Sequence, residues 1–267
     1  MILFPPAKVN LGLRILAKRP DGYHEIESIM AEIPFSDILE LNEAEQDAFV
    51  QTGITFPPDG QLNLCEKAVA ILRQHANFPP VHIHLRKQIP VGAGLGGGSA
   101  DASYTLVGLN ELFNLGFSIV QLTDFAAQLG SDCPFFIEGG LQLATGRGEH
   151  LTKLKPLDLK KWLVLCNPGI HVSTAAAYAK VKPKRDGASI VELLRENGIQ
   201  RLANDFEHSV FEQFPDISQL KTNLEKAGAF YAAMSGSGSS VFALFDQQPI
   251  LTDRIQKYVV FQGEWTL

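Results

Sequence analysis

Five glycines fall within seven residues of this chain, in Pro90-Val91-Gly92-Ala93-Gly94-Leu95-Gly96-Gly97-Gly98-Ser99. Ahead of them Val81, Ile83 and Leu85 alternate with His82, His84 and Arg86, the period of a strand with one solvated face. Behind them Ala102 to Asn110 carries Leu106, Val107 and Leu109 and reads as a helix. A strand, a glycine loop and a helix in that order suit anion binding. Glycine lets backbone approach a ligand, consecutive N–H groups can point inward, and the helix N-terminus adds partial positive charge. A flexible linker is the plain alternative, but linkers are rich in Gly and Ser without apolar flanks.

Two familiar phosphate-binding patterns do not fit. Gly92, Gly94 and Gly97 satisfy G-x-G-x-x-G, yet a dinucleotide-binding first strand is buried on both faces and apolar throughout. This one carries His and Arg on alternate positions, and no strand ending in an acidic residue follows about 20 positions on. A P-loop is excluded because Ser99 stands after Gly98 where Lys is required.

The 267 residues allow two domains of ordinary size. A hydrophobic fraction of 45% with 19% charged residues is that of a soluble globular protein. The net charge of −6 argues against a nucleic-acid binder, which would show a basic face. Cys65, Cys133 and Cys166 lie in apolar segments without paired spacing, which fits buried thiols in a reducing cytoplasm rather than disulfides or zinc. Met1-Ile2-Leu3-Phe4 runs straight into Pro5-Pro6, so no signal peptide is expected, and no apolar run reaches the ~20 residues of a membrane span. A cytoplasmic location is expected.

Along the chain, Val9, Leu11, Leu13 and Ile15 alternate as a strand, Lys18 to Gly22 is turn chemistry, and Tyr23 to Ile33 returns. Further strands are expected at 37–41 and 48–56, ending at the turn Pro57-Pro58-Asp59-Gly60. Asn63 with Glu66, Ser118 with Gln121 and Ser189 with Glu192 form capping-box patterns that open helices. The second of these runs to Leu129 and stops at Gly130. Trp162 to Cys166 reads as a buried strand, Ser173 opens an Ala-rich helix holding Tyr178, and Asp216 to Lys226 is a helix before Gly228. Ser235 to Ser240 is a second glycine-serine loop, leading into the apolar strand Val241 to Phe245. A junction is expected near Lys153 to Lys161. Periodicity alone gives mixed α and β.

Pro90 with Gly94-Leu95-Gly96-Gly97-Gly98-Ser99 resembles the phosphate loop of the GHMP small-molecule kinases. Lys8-Val9-Asn10-Leu11 and Ser235-Gly236-Ser237-Gly238 resemble that superfamily's first and third motifs, so the resemblance spans nearly the whole chain. Asp21 to Glu25 and Gly130 to Phe136 are similar to one branch, whose acceptor is a cytidine-diphosphate-linked methylerythritol of the non-mevalonate isoprenoid route. The resemblance implies an α+β fold in two domains, a nucleotide-binding domain over 1–155 and a ferredoxin-like domain over 156–267. It implies ATP as donor, with magnesium borne by the nucleotide, and a small-molecule acceptor phosphorylated on its tertiary 2-hydroxyl. Neither nucleic acid nor membrane is an expected partner. Ala100 departs from the family where many members carry a second Ser, and the chain after Phe245 is short. A homoserine- or mevalonate-type kinase, or a non-catalytic nucleotide binder on the same scaffold, stays open as an alternative.

Carried across residue by residue, the resemblance makes Asp132 the base for the attacking hydroxyl and Lys8 the cation that keeps its carboxylate ionised. By spacing alone Asp132 is equally a turn cap before Pro134, and Lys8 a solvated charge. Pro90, Gly92, Gly94, Leu95, Gly96, Gly97, Gly98 and Ser99 would hold the nucleotide phosphates, with Lys87 and Asn63 on the adenosine side. Ser99 reaches a phosphate or its magnesium, or is only the helix N-cap. Tyr23 and Tyr178 would sandwich a flat base, each stacking face contributing roughly 1–3 kcal/mol, or they fill the core. His24 and Asn10 would read the cytosine edge, and Gly236 and Ser237 would complete the acceptor site. No carboxylate set for a resident metal is evident.

Overall fold

A computed structural model describes residues 1–54, 62–181, 183 and 187–267. The Pro57 to Gly60 turn and the end of the strand expected to reach Phe56 lie outside the described residues. The strands in chain order are β1 (Ile2–Leu3), β2 (Pro6–Lys18), β3 (His24–Ser36), β4 (Ile38–Glu43), β5 (Ala48–Gly53), β6 (Val81–Lys87), β7 (Leu141–Gly146), β8 (His150–Lys153), β9 (Lys160–Cys166), β10 (Tyr231–Met234), β11 (Val241–Phe245) and β12 (Val259–Thr266). The helices are α1 (Leu64–Arg73), α2 (Gly97–Leu112), α3 (Ile119–Leu129), α4 (Phe135–Glu138), α5 (Thr174–Lys180), α6 (Ile190–Asn197), α7 (Phe206–Gln213), α8 (Pro215–Lys226) and α9 (Asp253–Gln256).

The chain packs into two compact units. One comprises Met1–Ala7, Phe35–Val91 and Gly96–Gly139. Its sheet runs β1-β4-β6-β5, with β5 parallel to β6 and the other pairs antiparallel. Leu39, Leu41, Ile83 and Leu85 from the sheet meet Leu72 of α1, Leu106 and Leu109 of α2, and Phe125 of α3 in one core. The alternation read along β6 holds for the apolar residues, and it continues inward to Lys87, which is buried. All three capping boxes form, at Asn63/Glu66, Ser118/Gln121 and, in the other unit, Ser189/Glu192.

The other unit comprises Lys8–Pro34, Gly92–Leu95 and Gly140–Leu267. It holds the sheet β2-β3-β7-β8 and the sheet β10-β11-β9-β12. Numbered from β9, the second sheet has strand order 2-3-1-4 in a βαββαβ run with antiparallel neighbours, the ferredoxin-like arrangement. Its core gathers Val164, Val241, Ala243 and Phe245 from the strands with Phe206, Ile217, Leu220 and Leu224 from α7 and α8.

Some elements differ from the sequence reading. Helix α2 starts at Gly97, five residues before the expected Ala102, because Gly96 at φ 70° turns the chain and the next two glycines are already helical. Strand β2 is buried from Ala7 to Leu13 without a solvated face. Strand β12, broken in pattern by Gly263, pairs with β9 and completes the second sheet.

Candidate functional site

In the first unit, α2 carries the second half of the glycine loop. Its N-cap is Gly96 in the left-handed region, with no side-chain cap bond, so Ser99 lies inside the helix and is not its cap. The first turn holds no acidic residue, leaving its N–H groups and dipole open to an anion. Gly98 is exposed, and Gly97 is buried where a Cβ would lie 2.8 Å from Ile89 Cγ2 and 3.1 Å from Lys87 Nζ.

Helix α2 also fixes the turn that presents Asp132. Ser103 Oγ donates to the Cys133 carbonyl at 2.7 Å, and the Cys133 thiol is buried in the same turn. Burial pushes that thiol up to about 11, so it stays protonated. Asp132 is half-buried in this turn, and the N-cap of α4 is Pro134 with no side-chain cap bond.

Lys87, expected on the adenosine side, has its ammonium drawn into a buried ion cluster. Its side chain is buried and donates to Asp101 Oδ2 at 2.8 Å and to Asp37 Oδ2. Asp37 Oδ1 in turn accepts the backbone N–H of Gln88 and, at 2.9 Å, that of Ile89. Burial alone would lower the Lys87 ammonium, but Asp101 and Asp37 hold it above the ordinary lysine value. Burial raises Asp101 to about 7, with Asp37 adding to the rise and Lys87 opposing it. Its Oδ1 is buried without a hydrogen-bond partner. Asn63 is the N-cap of α1, its Oδ1 accepting from Cys65 N at 2.9 Å.

In the second unit, β2 begins with a buried polar relay. Lys8 Nζ donates to Asn10 Oδ1 at 2.7 Å, Asn10 Nδ2 to Ser28 Oγ at 2.8 Å, and Ser28 Oγ to the Gly12 carbonyl at 2.8 Å. Lys8 is 3% exposed, so the solvated-charge alternative fails. Asn10 fixes the Lys8 ammonium with its carbonyl oxygen, a role the sequence did not suggest.

The first half of the glycine loop, Gly92–Leu95, packs on the Ser235–Ser240 loop. Ser235 Oγ donates to the Gly94 carbonyl at 2.8 Å and Ser240 N to the Ala93 carbonyl at 3.1 Å. Leu95 O accepts from Lys8 N at 2.9 Å. Gly94 stands at φ +79°, and a Cβ there would lie 2.0 Å from the Ser235 carbonyl oxygen. Asn204, which sequence reasoning missed, donates through Nδ2 to the carbonyls of Met234 and Gly236 at 2.7 and 2.8 Å. Ser237 Oγ lies 2.9 Å from Thr174 Oγ1.

The aromatic arrangement differs from the expected tyrosine pair. The ring stacked on Tyr178 is that of His24, with centroids 4.8 Å apart and planes at 22°. Phe206 meets Tyr178 edge-on at 4.7 Å. Tyr23 is exposed, and its ring face takes the Arg147 guanidinium at 4.9 Å. Burial, then nearby Lys18, lowers His24, leaving at neutral pH a neutral imidazole with one donor and one acceptor.

Among the described residues no three His, Cys, Asp or Glu side chains group to hold a metal, and no helix is long and apolar enough to cross a membrane.

The GHMP kinases N terminal domain model matches residues 63–140, and the GHMP kinases C terminal model matches 176–258. A protein from Cytophaga hutchinsonii, named 4-diphosphocytidyl-2-C-methyl-D-erythritol kinase, is 46% identical over 253 residues, covering 93% of this chain and 94% of its own. A protein of the same name from Bacillus subtilis is 41% identical over 251 residues, 90% of this chain and 86% of its own. The crystal structure of a 4-(cytidine 5'-diphospho)-2C-methyl-D-erythritol kinase superposes with a TM-score of 0.82 at 31% identity, over 100% of this chain and 98% of its own. A homoserine kinase structure from Cytophaga hutchinsonii, at 19% identity and a TM-score of 0.67 over 100% and 93%, shares the fold. With both family models in order along it, and relatives of one name spanning nine-tenths of its length, the chain belongs to the GHMP kinases, in the family of the 4-diphosphocytidyl-2-C-methyl-D-erythritol kinases.

Proposed function

We propose that the protein transfers the terminal phosphoryl group of ATP to the 2-hydroxyl of 4-diphosphocytidyl-2-C-methyl-D-erythritol. The observation that carries this reading is the 46% identity over 93% of the chain to a relative named for that acceptor. The nucleotide phosphates lie on Gly92, Gly94, Leu95, Gly96, Gly97, Gly98 and Ser99 beyond Pro90, in a cradle supported by the open amides of α2. Asn63 serves the adenosine side from the start of α1. Asp132 accepts the proton of the acceptor hydroxyl, and Lys8, aimed by Asn10, stabilises the charge that develops. The cytosine stacks on the aromatic group formed by Tyr178 and His24, with Tyr23 at its margin, and the His24 imidazole reads the base edge. Gly236 and Ser237 hold the acceptor beside these.

Magnesium enters with the nucleotide in this reading. The family boundary is placed between 155 and 156, a division supported by the matched spans ending at 140 and resuming at 176. A reducing, cytoplasmic setting is supported by three free, buried cysteines. The partners are small molecules, with neither nucleic acid nor membrane among them.

ADP release with ATP and four acceptors tests the reading: the cytidine compound, methylerythritol phosphate, homoserine and mevalonate. The cytidine compound should exceed methylerythritol phosphate by at least about tenfold in kcat/KM, the loss of a stacking face. A preference for homoserine or mevalonate would overturn the substrate assignment.

A further inference from the structure

Lys87, Asp37 and Asp101 form a buried charge cluster that the proposed chemistry does not use. The side chains of Lys87, Asp37 and Asp101 are 3%, 0% and 3% exposed. Each member touches a different part of the backbone around the glycine loop. Asp37 holds the amides of Gln88 and Ile89, the residues that leave β6 just before Pro90. Asp101 stands in the second turn of α2, just after the loop has become helix. Lys87 joins the two carboxylates, and the missing side chain of Gly97 leaves room for its ammonium against the first residue of α2.

We propose that this cluster positions the phosphate loop, with Asp101 the residue that ties the start of α2, through Lys87, to the end of β6. The inference rests on the reading of the loop as the ATP cradle. Its physical basis is that a loop of five glycines has little rigidity of its own. The distance between its ends is then set by what grips the residues on either side. A charged hydrogen bond in a water-free interior is short and directional. Burying two carboxylates on one ammonium is costly, and a mere stabilising contact would be served as well by a single ion pair or by apolar side chains.

The test separates positioning from stability. Asp101→Leu removes the tie but leaves Lys87 paired one-to-one with Asp37, so the buried charge is balanced and the variant should fold. Asp101→Asn keeps an acceptor oxygen for Lys87. Steady-state kinetics with magnesium-ATP and the cytidine acceptor should show KM for ATP raised by about tenfold or more in Asp101→Leu. KM for the acceptor should move less than about twofold, and Asp101→Asn should recover most of the ATP affinity. Equal KM for ATP in the wild type and Asp101→Leu, with only a lowered melting temperature, would overturn the proposal. So would Asp101→Asn as weak for ATP as Asp101→Leu. Should Asp101→Leu fail to fold, Asp101→Asn carries the test through a double-mutant cycle with Lys87→Gln on the KM for ATP, where zero coupling overturns the proposal. Wild-type protein that neither binds nor turns over ATP would overturn the reading of function as well, whereas ATP turnover insensitive to Asp101 sinks this inference alone.

Discussion

Gly94→Ala is the substitution for which the structure gives the sharpest expectation. A methyl group on Gly94 would lie 2.0 Å from the Ser235 carbonyl oxygen and 2.9 Å from its carbonyl carbon. Real Cβ contacts begin near 3.0 Å, so one backbone segment must move by about 1 Å. The φ of +79° adds about 1–2 kcal/mol for an L side chain in the left-handed region. The same movement pulls apart the Ser235 Oγ and Ser240 N bonds to the loop carbonyls, each worth about 0.5–1.5 kcal/mol. The Ser235–Ser240 loop cannot simply step back, because Asn204 holds its Met234 and Gly236 carbonyls. A cost of about 2–5 kcal/mol results, borne by two loops of the proposed site.

Catalytic efficiency should therefore fall at least about 30-fold, the lower end of that range. Both ATP and the acceptor should be affected, since Gly94 belongs to one loop and Ser235 to the other. Gly228→Ala is the matched control: its φ is +93°, but nothing lies within 4 Å of the added methyl. It should lose about 1 kcal/mol of stability and little activity. Steady-state kinetics and thermal melts on both variants make the comparison. Wild-type kcat/KM in Gly94→Ala, or equal losses in the two variants, would refute the reasoning from loop-on-loop packing.

Asp132→Asn should lower kcat by about 100-fold or more while leaving ATP affinity intact, as single-turnover kinetics and nucleotide titration would establish. Near-normal turnover in a folded variant would remove Asp132 as the base. Tyr178→Ala deletes a stacking face and should raise the KM for the cytidine acceptor by about tenfold without weakening ATP; an unchanged acceptor KM would place the base elsewhere. Burial, then Lys18, depresses His24, so the folded protein favours the neutral ring. Its contribution to stability and to acceptor binding is therefore present above the ordinary imidazole value and is lost as pH falls through the depressed one. The KM for the acceptor should rise on acidification in the wild type and stay flat in His24→Gln, and equal pH profiles would exclude the histidine.

What the sequence makes legible here is local. Three capping boxes, the end of α3 at Leu129 and the strand Val241 to Phe245 follow from side chains satisfying nearby backbone groups or from simple period, and all form as read. The glycine loop was legible as the break between a strand and a helix, but the helix starts earlier than propensity suggests, because tertiary contact favours a glycine at 97, where a side chain would meet Ile89 and crowd Lys87. Asn204, Ser28 and Asp37 were not legible. Each acts on residues 16 or more positions away, and a short polar side chain carries no mark of which distant carbonyl or amide it serves. Lys87 did carry a signal: it continues the inward-facing series of Val81, Ile83 and Leu85, so the period alone put a charge in the core and called for a buried partner.

The aromatic group shows how two neighbouring residues come to face different partners. Two tyrosines on either side of a base form the simplest sandwich that a sequence suggests. Tyr23, however, closes a turn, where Asp21 Oδ1 accepts its N–H and Arg147 covers its ring, while His24 opens β3 one residue later. A single step along an extended chain reverses the side-chain direction. That step turns His24, rather than Tyr23, onto Tyr178, whose other neighbour is the edge of Phe206. The consequence is chemical as well as geometric. In the proposed site, stacking and hydrogen-bond reading, assigned by sequence to separate residues, would both fall to one neutral imidazole, so His24→Phe should retain stacking and lose the capacity to distinguish cytosine from uracil.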